Sequence, residues 1–176
     1  TIAVEVISQK PSISSFRLFW KEMIRSVSQV IGYRNSLGCG IRLAFSTVSE
    51  GSKYSEDFKT YLKLDDGKVG SFFHDIPLNL NKSRQTVNVL IEIPRWSNAK
   101  FEVHKGSSFN PITQDSKNGQ PRFVKNLFPY KGYIHNYGAI PQTWDDPTIV
   151  DKDTGFKGDN DPIDVCEIGV RVATIG

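Results

Sequence analysis

The sequence predicts a mainly β protein with one compact domain, and three observations support this prediction. The chain has 176 residues, which is enough to bury one sizeable core. From Tyr54 onward, the runs of β-favouring residues are short, and turn-type residues separate them at regular intervals. This arrangement is typical of a β-barrel or a β-sandwich.

The first two predicted strands lie close together in the sequence. Residues 87–93 form a run rich in Val and Ile that ends at Pro94, and residues 100–103 follow after the turn-type pair Ser97-Asn98. Because only a short connection separates the two runs, we expect them to pair as a hairpin.

Later segments complete the predicted body. Residues 122–124 form a short strand after a turn at residues 117–119, whereas residues 132–141, rich in Gly, Tyr and Pro, form a rigid loop. Residues 163–168 alternate between apolar and polar types, which predicts a strand, and residues 170–175 begin the next strand.

The first part of the chain has a different composition. Apolar residues recur at helical spacing over residues 16–31, and Arg17, Lys21 and Arg25 give that helix a basic face. Residues 23–49 contain Arg and Ser but no acid, which is the composition of an organellar transit peptide. The alternative is a first core helix of the fold.

We therefore expect two parts. Residues 1–50 form an N-terminal extension that acts as a mitochondrial transit peptide, with Met23 as an alternative start, and residues 51–176 form the β domain. The chain starts at Thr1 and ends at Gly176 directly after a strand-like run, which indicates a fragment of a longer protein.

Charge and cysteine content narrow the function classes. Of the net charge of +3, the basic excess lies in the N-terminal segment, so the body has no basic patch that favours nucleic acid. No apolar run is long enough to span a membrane. Cys39 and Cys166 have no metal-ligand spacing and form no disulfide framework, which favours a reducing compartment.

A dense acidic run is the strongest chemical signal in the chain. Asp159, Asp161 and Asp164 surround Pro162, which prevents a helix there. Carboxylates this close repel one another, and their oxygens are the ligands that hard cations such as Mg²⁺ prefer. The alternative is a solvated acidic turn. No glycine-rich phosphate loop or serine-nucleophile motif accompanies the run.

Two further groups could meet these acids. Glu92, Lys100 and Glu102 occupy even positions on the predicted hairpin, and the period of two places Lys100 and Glu102 on one face, which is either solvent or a polar cavity. Arg122 with the Tyr133 and Tyr137 hydroxyls could hold a phosphate, although the two tyrosines taken alone are more typical of packing residues.

Seven sequence segments together resemble the soluble (family I) inorganic pyrophosphatases in their eukaryotic form. The resemblance covers about residues 51–170 in unbroken order. It rests on residues 72–78 (FFHDIPL), 92–96 (EIPRW), 98–102 (NAKFE), 110–115 (NPITQD), 132–139 (GYIHNYGA), 141–144 (PQTW) and 158–165 (GDNDPIDV).

The resemblance implies a fold, an activity and a cofactor. The fold is an OB-like five-stranded β-barrel of the family I pyrophosphatase type, incomplete at the C-terminus of this chain. The activity is hydrolysis of inorganic diphosphate to two orthophosphates with several Mg²⁺ ions per site. The full-length protein would be a homodimer, mitochondrial or alternatively cytoplasmic, and a non-catalytic OB-like module that binds a polyanion or a protein is the competing hypothesis.

The resemblance also implies how the metal and the attacking water are held. Asp159, Asp164 and Glu102 would be metal ligands, with Asp164 bridging two ions. Asp161 would accept the proton of the attacking water, and Tyr133 would donate a hydrogen bond near the metals.

The remaining implied roles concern the substrate. Arg122, Lys100 and Tyr137 would bind phosphate oxygens, while Glu92 and Asp115 would support the network. In the family, further metal-binding aspartates, a lysine and a Tyr-Lys pair follow the acidic signature, and this chain ends before them. We therefore expect the 176-residue chain by itself to be inactive and poorly stable.

Overall fold

The fold of the described residues consists of strands. The computed structural model describes residues 45–84 and 86–176, and within these ranges it contains ten strands and no helix. The mainly β prediction is therefore confirmed. The strands are β1 (Ser46–Glu50), β2 (Lys59–Lys63), β3 (Val69–Gly70), β4 (Leu90–Ile93), β5 (Phe101–Val103), β6 (Ile112–Gln114), β7 (Ser116–Lys117), β8 (Gln120–Pro121), β9 (Asn136–Ala139) and β10 (Asp164–Glu167).

The larger sheet has five strands in the order β1-β2-β6-β5, with β3 added to β2, and all its pairings are antiparallel. Alternation sets its faces: in β5, Phe101 and Val103 point into the core while Glu102 faces the other way. Pairing of Glu102 with Thr113 fixes the register of β5 on β6. The predicted common face of Lys100 and Glu102 is thereby confirmed, because both line one cavity.

The smaller sheet has the order β10-β9-β4 and is also antiparallel. Gly138 lies opposite Ile91, where a β-carbon would overlap the carbonyl oxygen of Leu90, so this central position requires glycine. The register shifts between Ile91 and Ile93, which places a bulge at Glu92. Bulges re-aim side chains, and this one directs Glu92 towards β5.

The hydrophobic core lies where the two sheets meet. Its largest fully buried side chains are Phe72, Phe101 and Leu62. The ring centroids of Phe58 and Phe101 lie 5.3 Å apart. Leu90 and Ile93 of the smaller sheet belong to the same core, so burial of apolar side chains fixes the inner faces of both sheets.

Two predictions about strands and loops are wrong in detail. Residues 87–93 and 100–103 do not form a hairpin, because β4 pairs with β9 and β5 pairs with β6. Residues 132–141 are not only a loop, since β9 lies within them as the central strand of the smaller sheet. β9 is distant from β4 in the sequence, so no local signal reports that pairing.

Two further strand predictions differ from the structure. Residues 122–124 contribute only an isolated bridge between Phe123 and Ala99, and the neighbouring strand β8 lies earlier. Residues 170–175 form no strand. Within the described part of the chain, their backbone contacts the Asn136 side chain: Ala173 N donates to Oδ1 at 3.0 Å, and Arg171 O accepts from Nδ2 at 2.9 Å. The predicted strand at 163–168 is confirmed as β10.

The N-terminal predictions fall mostly outside the described residues. The basic helix at 16–31 and Cys39 lie there, while Cys166 is a free thiol. The end of the predicted extension is described: β1 pairs with β2, so residues 46–50 are part of the larger sheet. Within the described ranges, no helix has the length and hydropathy needed to cross a bilayer.

Candidate active site

A polar cavity of about 550 Å³ is lined by residues of both sheets and by the acidic run. Eight of the ten residues predicted to form the site line it. These are Glu92, Lys100, Glu102, Asp115, Tyr137, Asp159, Asp161 and Asp164. Glu92, Lys100 and Glu102 therefore face a polar cavity and not bulk solvent, the two alternatives that the sequence left open.

The two other predicted residues lie beside the cavity. Arg122 donates a hydrogen bond from Nη1 to Asp115 Oδ2 at 2.8 Å. Its positive charge is therefore separated from the cavity by one residue, Asp115. The Tyr133 ring packs on the Tyr137 ring, with centroids 5.2 Å apart. Tyr133 and Arg122 therefore each contact a residue that lines the cavity without lining it themselves.

Glu92 is the most deeply buried acid of the cavity. Its side chain is 8% exposed, and Oε1 accepts a hydrogen bond from the Val103 backbone N–H at 2.9 Å. Burial raises the pKa of Glu92 from 4.5 to about 7; the Val103 hydrogen bond opposes the rise and the charge of Glu102 adds to it. The carboxyl group therefore changes charge near neutral pH, which is uncommon for glutamate.

Lys100 forms the centre of a charged network. Its ammonium group pairs with Glu102 and lies 3.7 Å from Asp115 Oδ2. Partial burial lowers the pKa of Lys100, but the hydrogen bond to Glu102 and the charges of Glu102 and Asp115 outweigh this and raise it. Lys100 is therefore a permanent cation, and together with Arg122 it gives one wall a positive charge.

Tyr137, which lines the cavity, and its neighbour Tyr133 place phenol hydroxyls near the acid Asp164. Burial raises the pKa of Tyr137, and the negative charge of Asp164 and the hydrogen bond to it raise the pKa further. Burial likewise raises the pKa of Tyr133. Both phenols therefore stay protonated at neutral pH and can donate hydrogen bonds. Burial and the charge of Arg95 lower the pKa of His135, which lies beside the two rings.

Backbone contacts hold the acidic run against the preceding loop. Asp145 exchanges hydrogen bonds with the run: its N–H donates to Asp161 O at 2.8 Å, and its carbonyl accepts from Asn160 N at 3.0 Å. Asn160 has φ 66°, a left-handed conformation that asparagine tolerates. The Ile163 N–H donates to the Thr143 hydroxyl at 3.0 Å. The run is therefore fixed in place, as its Pro162 suggested.

Lys105 and His104 are lining residues that sequence reasoning missed. The ammonium of Lys105 lies 2.8 Å from Asp161 Oδ1 and donates to the Asn160 carbonyl at 3.2 Å. Extending the alternation of positions 100 and 102 by one step would have found His104. Lys105 lies beyond the end of β5, where no periodicity applies.

The predicted metal ligands share the cavity but are not clustered at ligand spacing. Asp159, Asp164 and Glu102 all line it. Across residues 45–84 and 86–176, however, no three acidic, histidine or cysteine side chains come together closely enough to form a metal site by themselves. Their oxygen donors are of the type that hard divalent cations bind.

Comparison with known proteins gives a consistent result. The family model described as inorganic pyrophosphatase matches residues 89–176. The mitochondrial inorganic pyrophosphatase of Saccharomyces cerevisiae is 56% identical over 156 residues, which cover 86% of this chain and 50% of the relative. An inorganic pyrophosphatase of Candida albicans is 53% identical over 76% of this chain and 46% of its own length.

Solved structures show the same likeness. The inorganic pyrophosphatase from Schistosoma japonicum superposes with a TM-score of 0.70 at 50% identity, covering 74% of this chain and 46% of that one. The type I enzyme from Toxoplasma gondii superposes with a TM-score of 0.67 at 36% identity, over 75% of this chain and 57% of that one. The fold expected from the resemblance is confirmed. The chain spans about half the length of the curated relatives it matches.

Proposed function

The chain belongs to the inorganic pyrophosphatase family, and from this premise we propose that the protein hydrolyses inorganic diphosphate to two orthophosphates. One observation carries the proposal. The family match over residues 89–176 contains every acidic and basic side chain that lines the polar cavity. Conserved fold alone would not assign chemistry, but a matched cavity with this set of charges supports it.

The donor set of the cavity fits Mg²⁺. We propose Asp159, Asp164 and Glu102 as ligands, with Glu92 and Asp115 in supporting positions. Carboxylate oxygens are hard donors, and several acids around one polar cavity repel one another unless cations compensate them. When bound, divalent cations supply positive charge that lowers the pKa of water and neutralises charge on phosphate oxygens.

The basic and phenolic groups are proposed to bind diphosphate. Lys100 carries a permanent charge, and Arg122 offers the fork of donors that matches phosphate oxygens. Tyr137 stays protonated and can donate to a further oxygen, with Tyr133 supporting it through ring packing. Charge neutralisation by such groups is the main requirement of phosphoryl transfer.

Asp161 is proposed to take the proton from the attacking water. The water oxygen forms a bond to one phosphorus, the bond from that phosphorus to the bridging oxygen breaks, and the second orthophosphate leaves. The Asp161 carboxylate is about half exposed and is held by Lys105 at the cavity lining. A carboxylate in that place can reach both water and substrate.

The test is release of orthophosphate from Mg-diphosphate by a chain of the relatives' full length. Asp161→Asn should abolish it, by a factor of about 10² or more. Asp153→Asn is the matched control, since Asp153 is exposed and does not line the cavity. Binding of diphosphate without any cleavage by the wild type would refute the proposal and favour the non-catalytic OB-like binding module. Residues 1–176 assayed alone should release no orthophosphate, because the resemblance implies essential groups beyond them.

A mitochondrial matrix location and a homodimer complete the proposal. The acid-free segment 23–49 supports targeting, as does the yeast mitochondrial relative. The alignment with that relative covers 86% of the chain, so it includes part of residues 1–44. Fusion of residues 23–50 to a fluorescent reporter tests the targeting, and a diffuse cytosolic signal would contradict it. Light scattering of the full-length protein tests the dimer.

A further inference from the structure

Lys105 lines the polar cavity and has no assigned part in the reaction so far. It lies just beyond the end of β5, and its Nζ atom is 2.8 Å from Asp161 Oδ1. The same ammonium group donates a hydrogen bond to the Asn160 carbonyl at 3.2 Å. One cation therefore contacts two successive residues of the acidic run, the backbone of the first and the carboxylate of the second.

The turn between β5 and β6 holds the backbone of Lys105 in place. The Asn110 side chain donates from Nδ2 to the Lys105 carbonyl at 3.2 Å, and its Oδ1 accepts a hydrogen bond from the Ser71 hydroxyl at 2.7 Å. The His104 N–H donates to the Pro111 carbonyl at 2.8 Å, which closes the turn. The ammonium group therefore reaches the acidic run from a hydrogen-bonded turn in another part of the fold.

Different partners fix the backbone and the side chain of Asp161. The Asp145 N–H donates to the Asp161 carbonyl at 2.8 Å, and the Asp161 N–H donates to Asp159 Oδ1 at 3.2 Å. These bonds position the main chain but do not restrict rotation of the carboxylate about χ1. The contact of Lys105 with Oδ1 restricts that rotation, and the second oxygen, Oδ2, can still accept a proton.

A contribution to stability does not explain the ion pair. The side chains of Lys105 and Asp161 are 50% and 47% exposed. Ion pairs this accessible contribute little to folding, because water screens the attraction and ordering two side chains costs entropy. An orienting role needs less, since it requires only that one rotamer of the carboxylate is preferred over the others.

Neighbouring charges make the orientation of Asp161 depend on Lys105. Asp159 and Asp164 line the same cavity, and carboxylates repel one another. Without Lys105, this repulsion favours rotamers of Asp161 that point away from the other acids. Three staggered rotamers of equal energy would leave the productive one about one third populated, and repulsion lowers that fraction further. Misplacement of a reacting group by about 1 Å can cost about 10² in rate.

We propose that Lys105 is a positioning residue for diphosphate hydrolysis: its ammonium group holds the Asp161 carboxylate in the orientation that takes the proton from the attacking water. This role rests on the proposed function and on the part of Asp161 in it. Lys105 itself makes no contact with the substrate in this scheme. Its removal should therefore lower kcat and leave KM nearly unchanged.

The experiment measures steady-state release of orthophosphate from Mg-diphosphate by full-length variants. Lys105→Met removes the ammonium group but keeps an apolar stem, which lines a neighbouring cavity together with Phe73 and Pro162. We expect kcat to fall at least about tenfold, with KM changed by less than about twofold. Lys105→Arg keeps the charge and the donors and should retain kcat within about threefold of the wild type.

Lys68→Met is the matched control. It removes an ion pair of the same length, from Lys68 Nζ to Asp66 Oδ2 at 2.8 Å, and neither residue lines the polar cavity. Both kcat and KM should stay at the wild-type values. The urea midpoint of Lys105→Met should shift no more than that of Lys68→Met, because both pairs are exposed. A larger shift would show that the Lys105 ion pair is structural and would overturn the proposal.

The kinetic outcomes separate this proposal from the proposed function. A wild type that releases no orthophosphate refutes the proposed function itself. With an active wild type, an unchanged kcat in Lys105→Met overturns the positioning role alone. A raised KM at unchanged kcat also overturns it, because Lys105 would then bind the substrate directly. So does a kcat in Lys105→Arg that is as low as in Lys105→Met.

A double-mutant cycle tests whether Lys105 acts through Asp161. Adding Lys105→Met to Asp161→Asn should change the residual rate by less than about twofold, because the group that Lys105 orients is already lost. A further loss of about tenfold would contradict the proposal.

Crystals of metal-free Lys105→Met give a readout that does not depend on activity. The Asp161 carboxylate should occupy more than one rotamer, while the hydrogen bond from Asp145 N to the Asp161 carbonyl remains. One rotamer, the same as in the wild type, would show that Lys105 does not orient the carboxylate.

Discussion

The buried carboxyl group of Glu92 makes folding stability depend on pH in a calculable way. Its pKa is about 7 in the folded protein, against 4.5 in an exposed glutamate. Between these values the folded state keeps a proton that the unfolded chain releases, so stability falls as pH rises from about 4.5 through 7. Above that range the Glu92 carboxyl group is ionised in both the folded and the unfolded chain, and stability falls no further. At about 1.4 kcal/mol per pKa unit, the shift corresponds to a loss of about 3 kcal/mol.

Urea denaturation in EDTA at pH 5, 6, 7 and 8 measures this loss. Glu92→Gln should match the wild type at pH 5, because the amide oxygen still accepts the Val103 N–H, and should be more stable by about 3 kcal/mol at pH 8. Glu56→Gln, at an exposed position, is the control and should follow the wild-type profile. A difference between wild type and Glu92→Gln that does not change from pH 5 to pH 8 would refute the reasoning.

Three further predictions concern the packing that supports the site, each measured by urea denaturation at pH 6. Gly138→Ala should lower the free energy of unfolding by about 3 kcal/mol or more, because the added β-carbon overlaps the Leu90 carbonyl oxygen. A decrease below about 1 kcal/mol would contradict the close approach of β9 to β4. Asn136→Ala should lower the free energy of unfolding by about 2–4 kcal/mol, since the buried amide oxygen of Asn136 accepts hydrogen bonds from two backbone N–H groups. An unchanged stability would show that water replaces the amide oxygen. Phe72→Ala should lose about 3–5 kcal/mol, whereas Val170→Ala, 97% exposed, should change stability by less than about 0.5 kcal/mol.

Side-chain chemistry and local period were readable from the sequence. The acids around Pro162 indicated a cation-binding loop. The period of two placed Lys100 and Glu102 on one strand face, and their shared cavity confirms this placement. These features depend only on residue type and on backbone geometry over a few residues. They therefore needed no knowledge of the partner strands.

Strand partners and the environment of each group were decided by tertiary structure. The runs around Glu92 and Lys100 are neighbours in sequence, but the first pairs with the distant strand β9 and the second with the following strand β6. Such pairings depend on packing against cross-strand neighbours rather than on local propensity. Lys105 reaches Asp161 from beyond the end of its strand, so no period could reveal the contact.

The sequence by itself determined which residue types were available for the proposed cation and phosphate site, and which of them share a strand face. Only the folded chain decided that Glu92 loses its hydration, and that the Lys105 ammonium group contacts the Asp161 carboxylate. The physical reason is that desolvation and hydrogen-bond satisfaction depend on segments far apart in the chain, whereas propensity and alternation depend on neighbours.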